Sequence, residues 1–287
     1  MRIQPARFIR ILVVVLTLLA SAEARADGVR IDPISADLDT VVKTPVSSWR
    51  SPQLEVYRWD RFPDILVIDS ASFHVQDRMF TRLAYFLEKR GFRGKLMTNV
   101  QLTGRHGWNA HDYGPDGLAS FYNAASTQGF PLNPEEKALE SLALRENILR
   151  ADATQVLPGQ GGVLAISRSS SEIERRYLLT HESFHGIFFS SPAYRDFVFT
   201  VWDSLPENER VFYKAFLASL GYDSDDEFLA VNEFQAYLMQ QPLEYAASFF
   251  KRFRSGIDAN RLTASAKELD TFLQSTFGLR AGETLTP

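Results

Sequence analysis

The first unbroken run of hydrophobic positions is "ILVVVLTLLA", residues 11–20, interrupted only by Thr17. Arg2, Arg7 and Arg10 precede it, and Ala20, Ala22, Ala24 and Ala26 follow at alternating positions. A basic start, a short apolar stretch and spaced small residues make the pattern of a secretory signal with an A-x-A-like cleavage site. Residues 1–26 are therefore expected to be removed on export, with cleavage after Ala22, Ala24 or Ala26, leaving a periplasmic or secreted chain. The run is short for a membrane span, and no comparable run follows, so the mature chain is expected to have none.

Beyond it the pattern alternates between short β-like runs and longer helical ones. Residues 27–60 mix Asp, Pro, Ser and Thr with scattered Val and Ile, which predicts an irregular leader with one short strand. "PDILVIDS" predicts a buried strand over residues 65–68. Phe80, Leu83, Ala84 and Leu87 then recur at helical spacing, predicting a helix over residues 75–89 that stops at Gly91. "HGWNAHDYGPDG", residues 106–117, reads as turn-rich and irregular. Asn133 as N-cap, Pro134 at the first helical position and Glu135 and Glu136 in the first turn predict another helix. "LPGQGG" breaks the chain, and "VLAIS" (163–167) predicts a short strand. Ser171 and Glu174 form a capping box that opens a helix to about Phe189, ahead of Pro192. From about Asp196 the pattern is mostly helical, including "DEFLAVNEFQAYLMQQ", which Pro242 ends. The expected class is α+β: after the signal, residues 27–287 form one domain. A small α/β portion (27–158) leads into the "HESFH" helix and a helical C-terminal portion (159–287).

Composition adds two constraints. The 287 residues include no cysteine, so no disulfide braces the exported chain and no thiolate binds metal. A 45% hydrophobic, 13% aromatic composition supplies the core that such a chain must rest on. Four arginines and one glutamate lie in residues 1–26, so 27 basic and 34 acidic residues remain, a net charge of −7. That balance argues against nucleic acid as a partner.

Candidate chemistry concentrates in "LLTHESFHGIFF". Burying two imidazoles and a carboxylate side by side is costly unless they satisfy one another or hold something else. H-E-x-x-H on a helix places His181 and His185 on one face, a turn apart, able to aim two ring nitrogens at one metal ion. Glu182 projects beside them, placed to deprotonate a water that the metal polarises. Zinc suits this donor set. A catalytic zinc site wants a third protein ligand, and no histidine follows His185. Glu233 in "AVNEFQAYL" is the best candidate: between Phe228 and Gln241 it is the sole charged residue, among apolar helical neighbours that give a carboxylate no counter-charge. An ion pair with an arginine is the alternative for Glu233, and Asp196 and Asp203 are alternative ligands. "HGWNAHDY" is open to three readings: a structural loop, a cleft-lining segment that orients substrate, or a second metal site. "RSSS" reads as helix-cap chemistry.

"HESFH" on one helix, followed by a second helix carrying Asn232-Glu233-x-x-Ala236, resembles the gluzincin metallopeptidases, the broad thermolysin-like group. The resemblance spans residues 160–242. It implies a zincin-like fold, His181, His185 and Glu233 as zinc ligands, and Glu182 as catalytic base. The sequence departs from thermolysin in two ways. The 48 residues from His185 to Glu233 make a longer gap, and Tyr237 stands where an aspartate would brace the first histidine. Asn232 or an acid elsewhere would take over that brace. The expectation is an exported zinc metallopeptidase that hydrolyses peptide bonds in a peptide or protein substrate. Tyr237, His111 and Tyr113 are candidates to steady the oxyanion. The rival expectation is a zinc-binding envelope protein of the same fold without turnover.

Overall fold

Two six-residue strands, Ile65–Ser70 and Gly162–Ser167, lie parallel and side by side with every residue buried. The computed structural model describes residues 31–253 and 259–285. The expected signal segment, residues 1–26, lies outside the described residues. Pro33–Pro287 make one compact unit. In chain order its elements are β1 Ile34–Ala36, α1 Leu38–Lys43, β2 Leu54–Trp59, β3 Ile65–Ser70, α2 Phe73–Leu87, β4 His111–Tyr113, α3 Pro115–Thr127 and α4 Pro134–Arg145. Then come β5 Leu149–Ala151, β6 Val156–Pro158, β7 Gly162–Ser167, α5 Glu172–Ser190, α6 Pro192–Ser204, α7 Glu207–Leu220, α8 Glu227–Met239, α9 Leu243–Lys251 and α10 Ala259–Phe277. This is an α+β architecture with a small mixed sheet and a helical C-terminal half. Among the described residues, no helix is long and apolar enough to cross a membrane.

The sheet runs β1-β2-β3-β7-β4. β3 and β7 are parallel, and β4 joins β7 antiparallel at the edge, with Asp112 opposite Leu164. β5 and β6 form a separate antiparallel pair. One face of the central strands, through Ile65, Val67, Leu164 and Ile166, packs in the same core as Phe184, Ile187 and Phe188 of α5 and Val231 and Phe234 of α8. The close approach of the turn before β7 explains "GQGG". Gly161 has φ +80°, and a Cβ there would sit 1.8 Å from the Asp64 carbonyl oxygen, so only glycine fits.

The chain around "HESFH" folds as its caps dictate. Ser171 and Glu174 close the capping box at the start of α5. One turn in, Arg175 reaches the end of β3 and holds the buried Asp69 carboxylate at 2.7 and 2.8 Å. Arg168 reaches the same carboxylate at 2.7 Å and donates to the Val42 carbonyl at the end of α1. This knot fixes the angle at which α5 leaves the sheet. The other expected cap also forms, Asn133 opening α4 with Glu136, and Ser72, which the sequence reading did not name, caps α2 two residues ahead of the expected start.

Two segments differ from expectation. The leader holds a helix and a second strand, β2, besides β1. The charges in "LEVYRW" broke its strand signal, but Arg50 pairs with the buried Glu55 at 2.5 Å and lets it sit in the sheet. Within the turn-rich segment, "HDY" forms edge strand β4, because β7 offers it a partner.

Candidate metal centre

α5 and α8 cross with their functional side chains facing. His181 and His185 bring their Nε2 atoms to 3.1 Å, and Glu233 Oε2 from α8 stands 3.6 Å from the first and 3.8 Å from the second. His185 is wholly buried and Glu233 is 1% exposed. These three ligand atoms can hold one metal ion. Bonds of about 2.0–2.1 Å to a tetrahedral zinc put neighbouring ligand atoms about 3.3 Å apart, and the three observed separations bracket that value.

The hydrogen-bond inventory gives an independent test of fit. Glu233 Oε2 and Glu182 Oε2 are both buried without a hydrogen-bond partner. Orphaned buried carboxylate oxygens are expensive, and each of these two acids belongs to a convergent group that includes His185. Among the described residues no arginine or lysine pairs with Glu233, so the ion-pair alternative does not hold.

Burial sets the local electrostatics. It pushes Glu233 up to about 8, partly offset by neighbouring His185 and a hydrogen bond from Tyr222. It pushes His181 down to about 4, so that ring is neutral near pH 7. Glu182 is driven well above the ordinary carboxylate range by burial first, then by Asp112, Glu233 and Glu88 around it. Neutral imidazole beside crowded carboxylates is a donor set that lacks a counter-charge. A dication would supply it.

The second ring nitrogens are held from outside. His181 Nδ1 lies 3.0 Å from Gln240 Oε1, one residue past α8. His185 Nδ1 faces Asp112 Oδ2 at 3.5 Å, long for a hydrogen bond but close enough to orient the ring. Asn232, the neighbour of Glu233, donates to that same Asp112 oxygen at 3.3 Å. The first histidine is thus held by an amide, Gln240, in place of the expected Asn232 or acid, whereas the acid of the edge strand faces the second histidine and is held in turn by Asn232 of α8. Asp112, Glu182 and His185 also form a second convergent group.

Beside the histidines opens a cavity of about 330 Å³. Trp108, Tyr222, Tyr237, Leu178 and Leu220 give it apolar walls, and His106, Asn109 and Gln240 polar ones. The loop "HGWNA" forms one side and is pinned by α2 and the residue after it. Gln76 donates to the Trp108 and Asn109 carbonyls at 3.0 and 3.1 Å, Asp77 takes His106 at 2.7 Å, and Glu88 accepts from the Trp108 indole. Trp108 stacks on Tyr222 at 4.5 Å.

No family model, no curated protein and no solved structure matches this chain. The geometry of the site alone carries its chemistry.

The candidate residues sort as follows. His181, Glu182, His185 and Glu233 come together. Tyr237 lines the cavity with its ring 4.6 Å from that of His181. His111 and Tyr113 do not reach it. Alternation along β4 sends Asp112 toward α5 and its two neighbours to the opposite face, where His111 bonds Tyr113 and stacks on Phe80. Asp196 and Asp203 sit exposed on α6, away from the site. The serines of "RSSS" act as caps: Ser169 accepts from the Phe73 backbone, and Ser171 caps α5. Asp112, Gln240 and Tyr222 escaped the sequence reading. Asp112 carried a faint signal, as an acid in a histidine-rich segment; the other two carried none.

Proposed function

We propose that this chain is an exported zinc metallopeptidase of the gluzincin kind, with a zincin-like fold. The observation that carries the reading is the convergence of His181 Nε2, His185 Nε2 and an orphaned Glu233 oxygen at tetrahedral spacing. Zinc held there supplies a Lewis acid that makes water nucleophilic near neutral pH and polarises a carbonyl. The chain's own residues do the rest. Glu182, which lines the cavity beside His181, takes a proton from the attacking water and passes it to the leaving amine. Its raised affinity for protons suits it to hold that proton between the two events. Tyr237, whose ring lies 4.6 Å from that of His181 and whose hydroxyl oxygen faces Tyr222, is placed to donate to the developing oxyanion. Edge strand β4 offers a backbone edge along which an extended peptide can align.

Two measurements test this. Purified mature chain should carry one zinc, and Glu233→Ala should lose most of it. Glu182→Gln should keep the zinc while hydrolysis of a peptide library falls by at least about a thousandfold. Wild-type turnover in Glu182→Gln would remove the assigned base.

One observation favours the rival reading, a zinc-binding envelope protein without turnover. Asp112 shares a hydrogen bond with Glu182 that strengthens its hold on a proton. A base kept protonated takes no proton from water. Zinc retention with no cleavage across the whole library would establish that alternative.

A further inference from the structure

Next to the catalytic cavity lies a second, wider depression of about 840 Å³ on the outer side of α9. Tyr177 of α5 lines both, so the two adjoin. Gln241 in the depression is hydrogen-bonded at 3.2 Å to Gln240, which holds His181. Tyr237 of the cavity stacks on Phe249 of the depression with centroids 6.0 Å apart.

The lining has two notable features. Its aromatic side chains are left in solvent: Tyr177 is 44% exposed, Tyr245 59% and Phe253 47%. Exposed large rings gathered in one concavity mark a contact surface. The sole charged lining residue is Arg252, whose guanidinium lies 5.0 Å above the Phe249 ring. It is near enough to Tyr177 to affect the phenol's ionisation. Among the described residues, no carboxylate pairs with it. The neighbouring cavity, by contrast, has one carboxylate in its lining, Glu182. The depression thus sets a cation beside exposed rings.

We propose that this groove is an extended substrate subsite that selects a polypeptide segment carrying an acidic side chain next to an aromatic or large apolar one, with Arg252 as the specificity-determining residue. The inference rests on the peptidase reading for the identity of the occupant. The rings of Tyr245 and Phe253 take the apolar side chain. The planar guanidinium, backed by Phe249, takes the carboxylate with two N–H donors. An extended peptide advances about 3.3 Å per residue, so the selected pair lies several residues from the scissile bond.

The test uses zinc-loaded, full-length mature Glu182→Gln protein, which binds without turnover, and synthetic peptides carrying Phe-Glu, Phe-Gln or Phe-Lys walked along an extended frame. Fluorescence anisotropy should show Phe-Glu peptides binding about tenfold tighter than Phe-Gln peptides in the best register. Adding Arg252→Ala should erase that difference, and Arg252→Glu should transfer the preference to Phe-Lys. Tyr245→Ala should weaken Phe-Glu and Phe-Gln peptides alike, separating the apolar contact from the charge. No acidic preference, a preference that survives Arg252→Ala, or no peptide binding overturns the subsite. Wild-type cleavage without any Arg252-dependent preference leaves the peptidase standing and removes the subsite. Arg252-dependent binding without wild-type cleavage does the reverse.

Discussion

At the scale of single residues, the two imidazoles stand Nε2 to Nε2 at 3.1 Å beside a buried carboxylate, a donor set that a cation would satisfy. Each ring has an oxygen acceptor beside Nδ1, Gln240 Oε1 for His181 and Asp112 Oδ2 for His185. A proton on His181 Nδ1, facing Gln240, leaves its Nε2 lone pair pointing at Nε2 of His185, 3.1 Å away. A cation held there would take that lone pair together with the Glu233 oxygen. Asp112 deserves its own test, because it fixes one tautomer and touches the base as well. Asp112→Ala should lower zinc affinity by roughly 10–100-fold with the fold intact, and Asp112→Asn should restore part of the loss by keeping an acceptor beside His185. Competition with a fluorescent chelator reads this directly; unchanged affinity in the alanine variant removes Asp112 from the brace. His106 supports the cavity wall in a way that pH can probe. Its pKa is raised above 6.5, chiefly by the hydrogen bond to Asp77, whose own pKa is lowered by the same contact and despite burial. The sign follows. Stability from this pair is complete between the two unfolded values. It fades as pH rises through the raised His106 value or falls through the lowered Asp77 value. With His106 38% exposed, the difference between wild type and His106→Asn should stay under about 1 kcal/mol, be largest below pH 6.5 and above the ordinary aspartate range, and fade as pH rises through the raised His106 value. Urea titrations across that range check it.

At the scale of elements, the site is three side-chain sets carried on a braced helix, a second helix and an edge strand. The brace is the Asp69 knot. Removing one arginine from it leaves the other to neutralise the acid, whereas removing the acid leaves two cations facing each other in the core. Asp69→Ala should therefore destabilise more than Arg175→Ala, the latter by about 3 kcal/mol. Equal denaturation midpoints for the two variants would mean the knot does not act as a unit. The sequence announced α5 and the ligand helix well, because a capping box, a Pro stop and helical spacing are local signals. Glu233 was legible for a related reason: a lone charge on an apolar helix needs a partner wherever the helix packs. β2 was hidden because Glu55 looks unfit for a strand until Arg50 folds over it. β4 was hidden because three residues carry no period. Asp112 followed β4 into obscurity, since its aim at α5 comes from the register that sets it opposite Leu164. His111 and Tyr113 were proposed for the site and face the other way for that same reason: adjacent strand residues point to opposite sides.

At the scale of the whole molecule, the chain has no cysteine to form a disulfide and carries polar groups at the centre of its core. The apolar packing between the sheet and the C-terminal helices is interrupted where α5 meets α8 by buried His181, Glu182, His185 and Glu233. Binding that involves only the folded state stabilises it by mass action, about 2.7 kcal/mol when free zinc exceeds its Kd a hundredfold. For a chain of this size that corresponds to roughly 5–10 °C in Tm. Chelation should lower the wild-type Tm by this amount, and adding zinc back should restore it. Glu233→Ala makes the experiment specific to the site. It removes one ligand together with one buried acid, so its Tm should respond little to either chelator or zinc. Its chelated form should melt no lower than chelated wild type, because an unpaired carboxylate has left the core. A wild-type Tm indifferent to chelator would mean that no ion joins α5 to α8. A full zinc response persisting in Glu233→Ala would place the ion elsewhere and return the buried histidines to a purely structural role.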